Sequence, residues 1–185
     1  MWRLNGHSST LMKPRPEIAI REATLKDAAE IGRLARRIWP VCYRDIISTE
    51  QIDYMLDQRF GAETLVEALE NPAITYWVAE LDCKLVGYGS VEQPQTGGRA
   101  KIQQVYLLPS VQGIGVGRRL LEQMILHVRE QGGVEVWLTV NRKNDHAIEF
   151  YRRQGFVVER ELVTDIGRGF VMNDFVMTYT LEDEQ

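Results

Sequence analysis

The chain has 185 residues, 44% of them apolar and 26% charged, with a formal net charge of −4. That length supports one domain with a full core, and the mild acidity argues against a nucleic-acid partner, which needs clustered Lys and Arg. No apolar stretch approaches the roughly 18 residues of a membrane span, the first residues lack the apolar core of a signal peptide, and the two cysteines, Cys42 and Cys83, fit a reducing cytoplasm better than a disulfide framework.

In chain order, residues 1–16 read as a flexible extension carrying Pro14 and Pro16 just before the first strand pattern, an alternating run over 17–21. Thr24, with Asp27 three residues on, predicts a capped helix whose apolar positions Leu25, Ala28, Ile31, Leu34 and Ile38 recur at helical spacing, and Pro40 is expected to end it. Ser48 and Gln51 form a second capping box, ahead of Ile52, Met55 and Leu56 on one helical face; a short third helix spans 62–69 and stops at Asn71-Pro72. Residues 75–81 and 84–92 read as a hairpin around Asp82-Cys83. A loop over 94–99 leads to a fourth strand, 101–108, stopped by Pro109. A long helix follows to about 131, with Gly132-Gly133 behind it. A fifth strand (134–140), a helix (147–154) ending at Gly155, and two strands (156–164 and 170–181) around the 165–169 turn complete the chain, with 182–185 a solvated tail. The order predicts a mixed α/β domain over 17–181 built on one sheet.

Gly113, Gly115 and Gly117 alternate at the mouth of the long helix, although glycine is about 1 kcal/mol worse than Ala inside a helix. A strand, a proline, glycines and a helix start expose unpaired N–H groups at a positive helix end, and glycine lets an anion approach without a Cβ in the way. A turn that merely redirects the chain has the same composition. The dinucleotide fingerprint G-x-G-x-x-G fails, because its last position falls on Arg118 or Leu120. The Walker loop fails as well, with Arg118-Arg119 where Gly-Lys is required.

What remains is V-Y-L-x-P-x-x-Q-x-x-G-x-G from Val105 to Gly117. It resembles motif A of the GCN5-related N-acetyltransferase (GNAT) superfamily. Downstream, Asn144, Ala147, Phe150, Tyr151, Gly155 and Phe156 match that family's N-x-x-A-x-x-F-Y-x-x-x-G-F. The resemblance spans about 17–181. It implies a single-domain GNAT fold: a mixed sheet of about seven strands, splayed between strands four and five and flanked by helices. It also implies acetyl-CoA as donor, with no metal, and direct attack by an amine within a ternary complex.

On this resemblance the pyrophosphate would rest on Gln112, Gly113, Ile114, Gly115, Val116, Gly117 and Arg118, and backbone at Val105, Tyr106 and Leu107 would pair with the pantetheine arm, like a missing strand. A strand-four amide near Leu107 would polarise the thioester carbonyl. Asn144 would hold the arm or cap its helix. Tyr151 would be the acid at the departing sulfur, a phenol being otherwise a packing aromatic. Arg118 and Arg119 would add charge near the phosphates or, Arg119 above all, stand as solvated first-turn cations; Asn141 reads as a loop residue, and His127 and His146 as helix residues with surface or packing roles. Many relatives carry Glu on strand four as the base. Gln103 and Gln104 stand there instead, which leaves Glu92, at the end of strand three, or a water chain.

The acceptor region is expected between the first two helices and at the last hairpin. Trp39, Tyr43 and Tyr54 either line a groove or fill the core, and Asp45, Glu50 or Asp53 could meet a cation. Asp174 and Met177 match an Asp-x-x-Met strand of the polyamine (spermine/spermidine) acetylating branch, a loose likeness that leaves peptide N-termini and antibiotics open as acceptors. The competing reading is a non-catalytic acyl-CoA-binding module. Members of the family are often dimers, so a homodimer is expected.

Overall fold

The computed structural model describes residues 17–94 and 98–181; the expected extension (1–16), the tail (182–185) and part of the 94–99 loop lie outside these. The strands are β1 (Ile18–Glu22), β2 (Ile74–Leu81), β3 (Lys84–Glu92), β4 (Arg99–Leu107), β5 (Glu135–Asn141), β6 (Val157–Gly167) and β7 (Phe170–Thr180). The helices are α1 (Ala28–Cys42), α2 (Thr49–Phe60), α3 (Ala62–Glu70), α4 (Val116–Glu130) and α5 (Asp145–Arg153), with short 3-10 turns at Leu25–Asp27 and Pro109–Val111. One seven-stranded sheet runs β1-β2-β3-β4-β5-β7-β6. Every neighbouring pair is antiparallel except β4 and β5.

Helices cover both faces of the sheet. On one side Ile31, Leu34, Ile38 and Trp39 of α1 pack with Leu56 and Leu65 of α2 and α3. On the other, Leu120, Leu121 and Met124 of α4 pack with Ile148 and Phe156. The alternating strand pattern supplies an apolar residue to each layer in turn.

Two local expectations are revised, and a third, the Thr24–Asp27 capping box, is met and extended. Pro40 does not end α1, which continues to Cys42, and Tyr43 N–H still reaches Trp39 O at 3.0 Å. An interior proline costs about 3 kcal/mol; each fully buried large apolar side chain returns about 1.5–3 kcal/mol, and Ile31, Leu34, Ile38 and Trp39 are all sealed on one face of this helix. Burial wins. Gln51 does not close a capping box: Ser48 Oγ accepts its N–H at 3.1 Å, but its side chain crosses to β7 and donates to Val171 O at 3.2 Å. Asp27 does more than cap. Its Oδ2 accepts the Thr24 N–H at 2.8 Å, and Arg21 clamps both oxygens at 2.8 and 2.9 Å, tying β1 to the start of α1. The Arg21 guanidinium holds the Asp27 carboxyl well below the usual carboxylate range.

Candidate active site

β4 and β5 pair only at Arg99↔Glu135, Ala100↔Val136 and Lys101↔Trp137. Beyond that they part. The register of β4 against β3 jumps from Val91↔Ile102 to Ser90↔Gln104, so Gln103 is the extra residue of a bulge at the point of divergence. The two strands then wall a cleft of about 470 Å³, lined by residues 102–107 on one side and 138–141 on the other.

Leu108 N–H bonds Val86 O at 2.8 Å, which fixes the alternation along β4. Tyr106, of the same parity, spends its backbone on Tyr88 of β3, while Val105 and Leu107 turn their N–H and C=O groups into the gap. Of the three β4 residues expected to pair with a ligand arm, two therefore carry free edges and Tyr106 offers its ring.

The glycines at the cleft mouth divide into two kinds. Gly113 and Gly115 have φ of 80° and 91°, left-handed values that strain any residue with a Cβ, and a Cβ built on either meets nothing within 4 Å. Gly117 is a packing glycine: a Cβ there would lie 2.9 Å from Leu107 Cδ1. Among the described residues no carbonyl or side chain accepts the N–H groups of Gly113 through Arg118, and the first helical bond runs from Arg119 N–H to Gly115 O at 3.1 Å. Several donors without a described acceptor thus stand at the positive end of a 15-residue helix. Gln112 lines the same mouth. Arg118 leans back onto Glu122 at 2.7 Å, and Arg119 reaches Ile18 O at 3.1 Å.

Tyr151 of α5 lines the cleft, is 8% exposed, and packs edge-on to Phe150 with ring centroids 5.2 Å apart. Burial pushes its phenol well above the ordinary range, so at neutral pH it is a donor. Asn144, also on the lining, caps α5 by accepting Ala147 N–H at 3.1 Å. Asn141, expected in a loop, is instead the buried last residue of β5 and lines the cleft. Cys42 is on the lining as well, and burial raises its thiol, which disfavours the nucleophilic thiolate. Glu92 accepts from Gln103 Nε2 at 3.2 Å and stands behind that lining residue. His146 lines the cleft, whereas His127 bonds Thr75 Oγ1 at 3.2 Å, against β2.

The α1 end of the cleft is aromatic and polar. Tyr43 and Tyr106 share a 2.9 Å hydroxyl–hydroxyl bond, and burial pushes the Tyr43 phenol to about 12. Trp39 is 0% exposed and bonds Tyr88 OH through Nε1 at 3.2 Å, so it is core rather than groove wall. Tyr54 ties α2 to the last hairpin through a 2.9 Å bond to Ile166 O. Asp45, Glu50 and Asp53 are exposed and off the lining. A buried carboxylate lies on this side of the sheet at Asp174 of β7, whose backbone faces Asn141 across the β5–β7 ladder.

A split parallel pair, a free strand edge and a turn of amides without a described acceptor thus open onto one cleft. The family model described as the acetyltransferase (GNAT) family matches residues 29–156, more than half of the chain. The chain belongs to the GNAT family. This GNAT enzyme is 29% identical over 159 residues to a spermidine N(1)-acetyltransferase of Thermoplasma acidophilum, covering 84% of the chain and 95% of that relative. It is 27% identical to an uncharacterised N-acetyltransferase of Mycobacterium tuberculosis, covering 85% and 99%. The solved PaiA N-acetyltransferase of Thermoplasma acidophilum, in complex with coenzyme A, superposes with a TM-score of 0.77 at 26% identity, covering 89% of this chain and 99% of that one. The enzyme is an acetyl-CoA-dependent N-acetyltransferase with the GNAT fold.

Proposed function

We propose that the enzyme transfers acetyl from acetyl-CoA to a primary amine of a small polyamine-like molecule or a peptide N-terminus, by direct attack in a ternary complex. The observation that carries this reading is the cleft itself. Its lining draws on both layers of the fold, with Phe150 and Tyr151 from the α4 layer and Tyr43 and Tyr106 from the α1 layer. Two ligands can meet there from opposite faces. The spermidine relative favours a polyamine among the acceptors.

When bound, acetyl-CoA supplies an activated acetyl group on a thioester carbonyl. The N–H groups of Gly113 to Arg118 would hold its pyrophosphate, and the free edges of Val105 and Leu107 would pair with the pantetheine amides, leaving the Leu107 N–H toward the carbonyl oxygen. Asn144 keeps its capping bond and offers its remaining polar atoms to the arm. Tyr151 stays protonated and donates to the sulfur as charge develops on it, the raised phenol making it a hydrogen-bond donor ahead of a full acid.

The test is to incubate the protein with acetyl-CoA and a panel of spermidine, putrescine and a short peptide with a free α-amine, following thiol release. Turnover with at least one amine is expected. Tight coenzyme A binding with no thiol release across the panel would favour the non-catalytic module.

A further inference from the structure

Asp174 is one of four described residues with a side-chain polar atom sealed from solvent and unpartnered. It is 7% exposed, and its Oδ1 meets no donor. A second member of that group is Gln104, whose Oε1 is also orphaned although its Nε2 donates to Tyr76 OH at 3.3 Å. Both belong to the same side of the sheet. Met172, on Asp174's own strand face, and Tyr76, the partner of Gln104, sit in the core under α1–α3. Each orphan is an acceptor, and a buried acceptor without a donor costs roughly 1–3 kcal/mol. The chemistry that relieves two such acceptors is a multi-proton donor, and an ammonium carries three.

Asp174 stands just behind the cleft lining, one strand away from it. Its ladder partner Asn141 lines the cleft, and its charge acts on Tyr43, another lining residue. We infer that Asp174 is the carboxylate that receives the acceptor's ammonium and takes its proton, the role left open by Gln103 and Gln104 on β4. The inference rests on the acceptor entering from the α1 side, as proposed above.

Burial lifts the Asp174 carboxyl to about 6, with Arg59 on α2 and Lys101 on β4 pulling the other way. Those two cations and Tyr43 are the charged or titratable groups that act with Asp174 among the described residues. Arg59 and Lys101 have a second effect. They disfavour another positive charge beside them, and so lower the proton affinity of an amine drawn in by Asp174. The ammonium gives one proton to the carboxylate. The freed lone pair forms the C–N bond while the C–S bond breaks. The second nitrogen proton ends on the departing sulfur, so that amide and thiol leave and Asp174 returns its proton to water.

The experiment is a pH profile of kcat/KM with spermidine, or with the fastest amine of the panel if spermidine is not turned over, for the wild type and Asp174→Asn. The wild type is expected to gain activity with unit slope as pH rises through about 6, where the base becomes available. Asp174→Asn is expected to lose 100-fold or more at pH 8, in the range of a lost general base, and to lose the acid limb, while binding coenzyme A as the wild type does. Asp174→Glu keeps a carboxylate, is expected to keep a limb, and decides the matter if the Asn variant does not fold. Asp174→Asn within about threefold of wild type, or with its acid limb intact, would overturn the inference. So would a parallel loss of coenzyme A affinity and melting temperature, which marks a structural role. Failure of the donor-site reading is distinguishable, since coenzyme A would then bind away from Gly113 to Arg118 while the Asp174 limb persists.

Discussion

The turn before α4 gives the sharpest prediction, because its glycines do different work. Gly115 holds φ at 91° and would direct a Cβ into the mouth of the cleft; Gly117 has no such φ and would direct one onto Leu107 Cδ1 at 2.9 Å. For Gly115→Ala, the left-handed conformation costs about 1–2 kcal/mol, offset in part by about 0.4–1 kcal/mol from the stiffer unfolded chain. A net loss near 1 kcal/mol lowers the melting temperature of a domain this size by roughly 2–4 °C. The methyl group also stands between the amides and an incoming pyrophosphate. Losing one charge-assisted hydrogen bond, about 1.5–3 kcal/mol, weakens coenzyme A binding roughly 10- to 100-fold. For Gly117→Ala the helix gains about 1 kcal/mol of propensity, which the displaced Leu107 side chain gives back in part, so stability stays near wild type and affinity changes less. Calorimetric titration with coenzyme A and thermal melts of both variants measure this. A Gly115→Ala protein with wild-type melting and wild-type affinity would refute the reasoning, as would a larger affinity loss in Gly117→Ala.

Two further outcomes are expected. Tyr151→Phe should lower kcat at least tenfold with coenzyme A affinity within twofold of wild type, because the hydroxyl acts only as sulfur charge develops; equal kcat in the two proteins would remove Tyr151 from the chemistry. Asp27→Asn should destabilise by about 2 kcal/mol, less than a fully buried pair because Arg21 is 40% exposed. The Asp27 carboxyl is depressed in the folded chain, so its contribution is present above about pH 4, the unfolded value, and fades as pH falls toward the folded value. Denaturant midpoints from pH 7 to 2 should fall more steeply for the wild type than for the variant, and parallel curves would contradict this.

Much of the proposed donor side was legible in the chain. The V-Y-L-x-P-x-x-Q-x-x-G-x-G run fixes a strand, a turn and a helix in sequence, and the contacts it makes are local or backbone in kind. Residues whose role depends on distant partners were harder to read. Nothing local distinguishes Gly117, which packs on Leu107, from Gly115, which needs a positive φ. Asn141 looked like a loop residue because the strand before it carries few charges to mark its end, whereas seven ladder pairs with β7 extend β5 through it. Asp45, Glu50 and Asp53 drew notice as acidic residues near the expected acceptor, yet they are solvated on a helix flank and its approach. Asp174, a buried carboxylate, came from β7, and only the sheet order, with β7 inserted between β5 and β6, brings it beside the cleft. Pro40 misled for the opposite reason: a strong local signal was outweighed by tertiary burial of the helix face that carries Trp39.

The account turns on where coenzyme A lies, and backbone amide chemical shifts report that directly. Titrating the 15N-labelled protein with coenzyme A should move the resonances of Gly113 to Arg118 together with Val105 and Leu107. Shifts confined to other residues, such as the second cavity by Arg129, Arg153 and Tyr179, with the glycine amides unmoved, would contradict it.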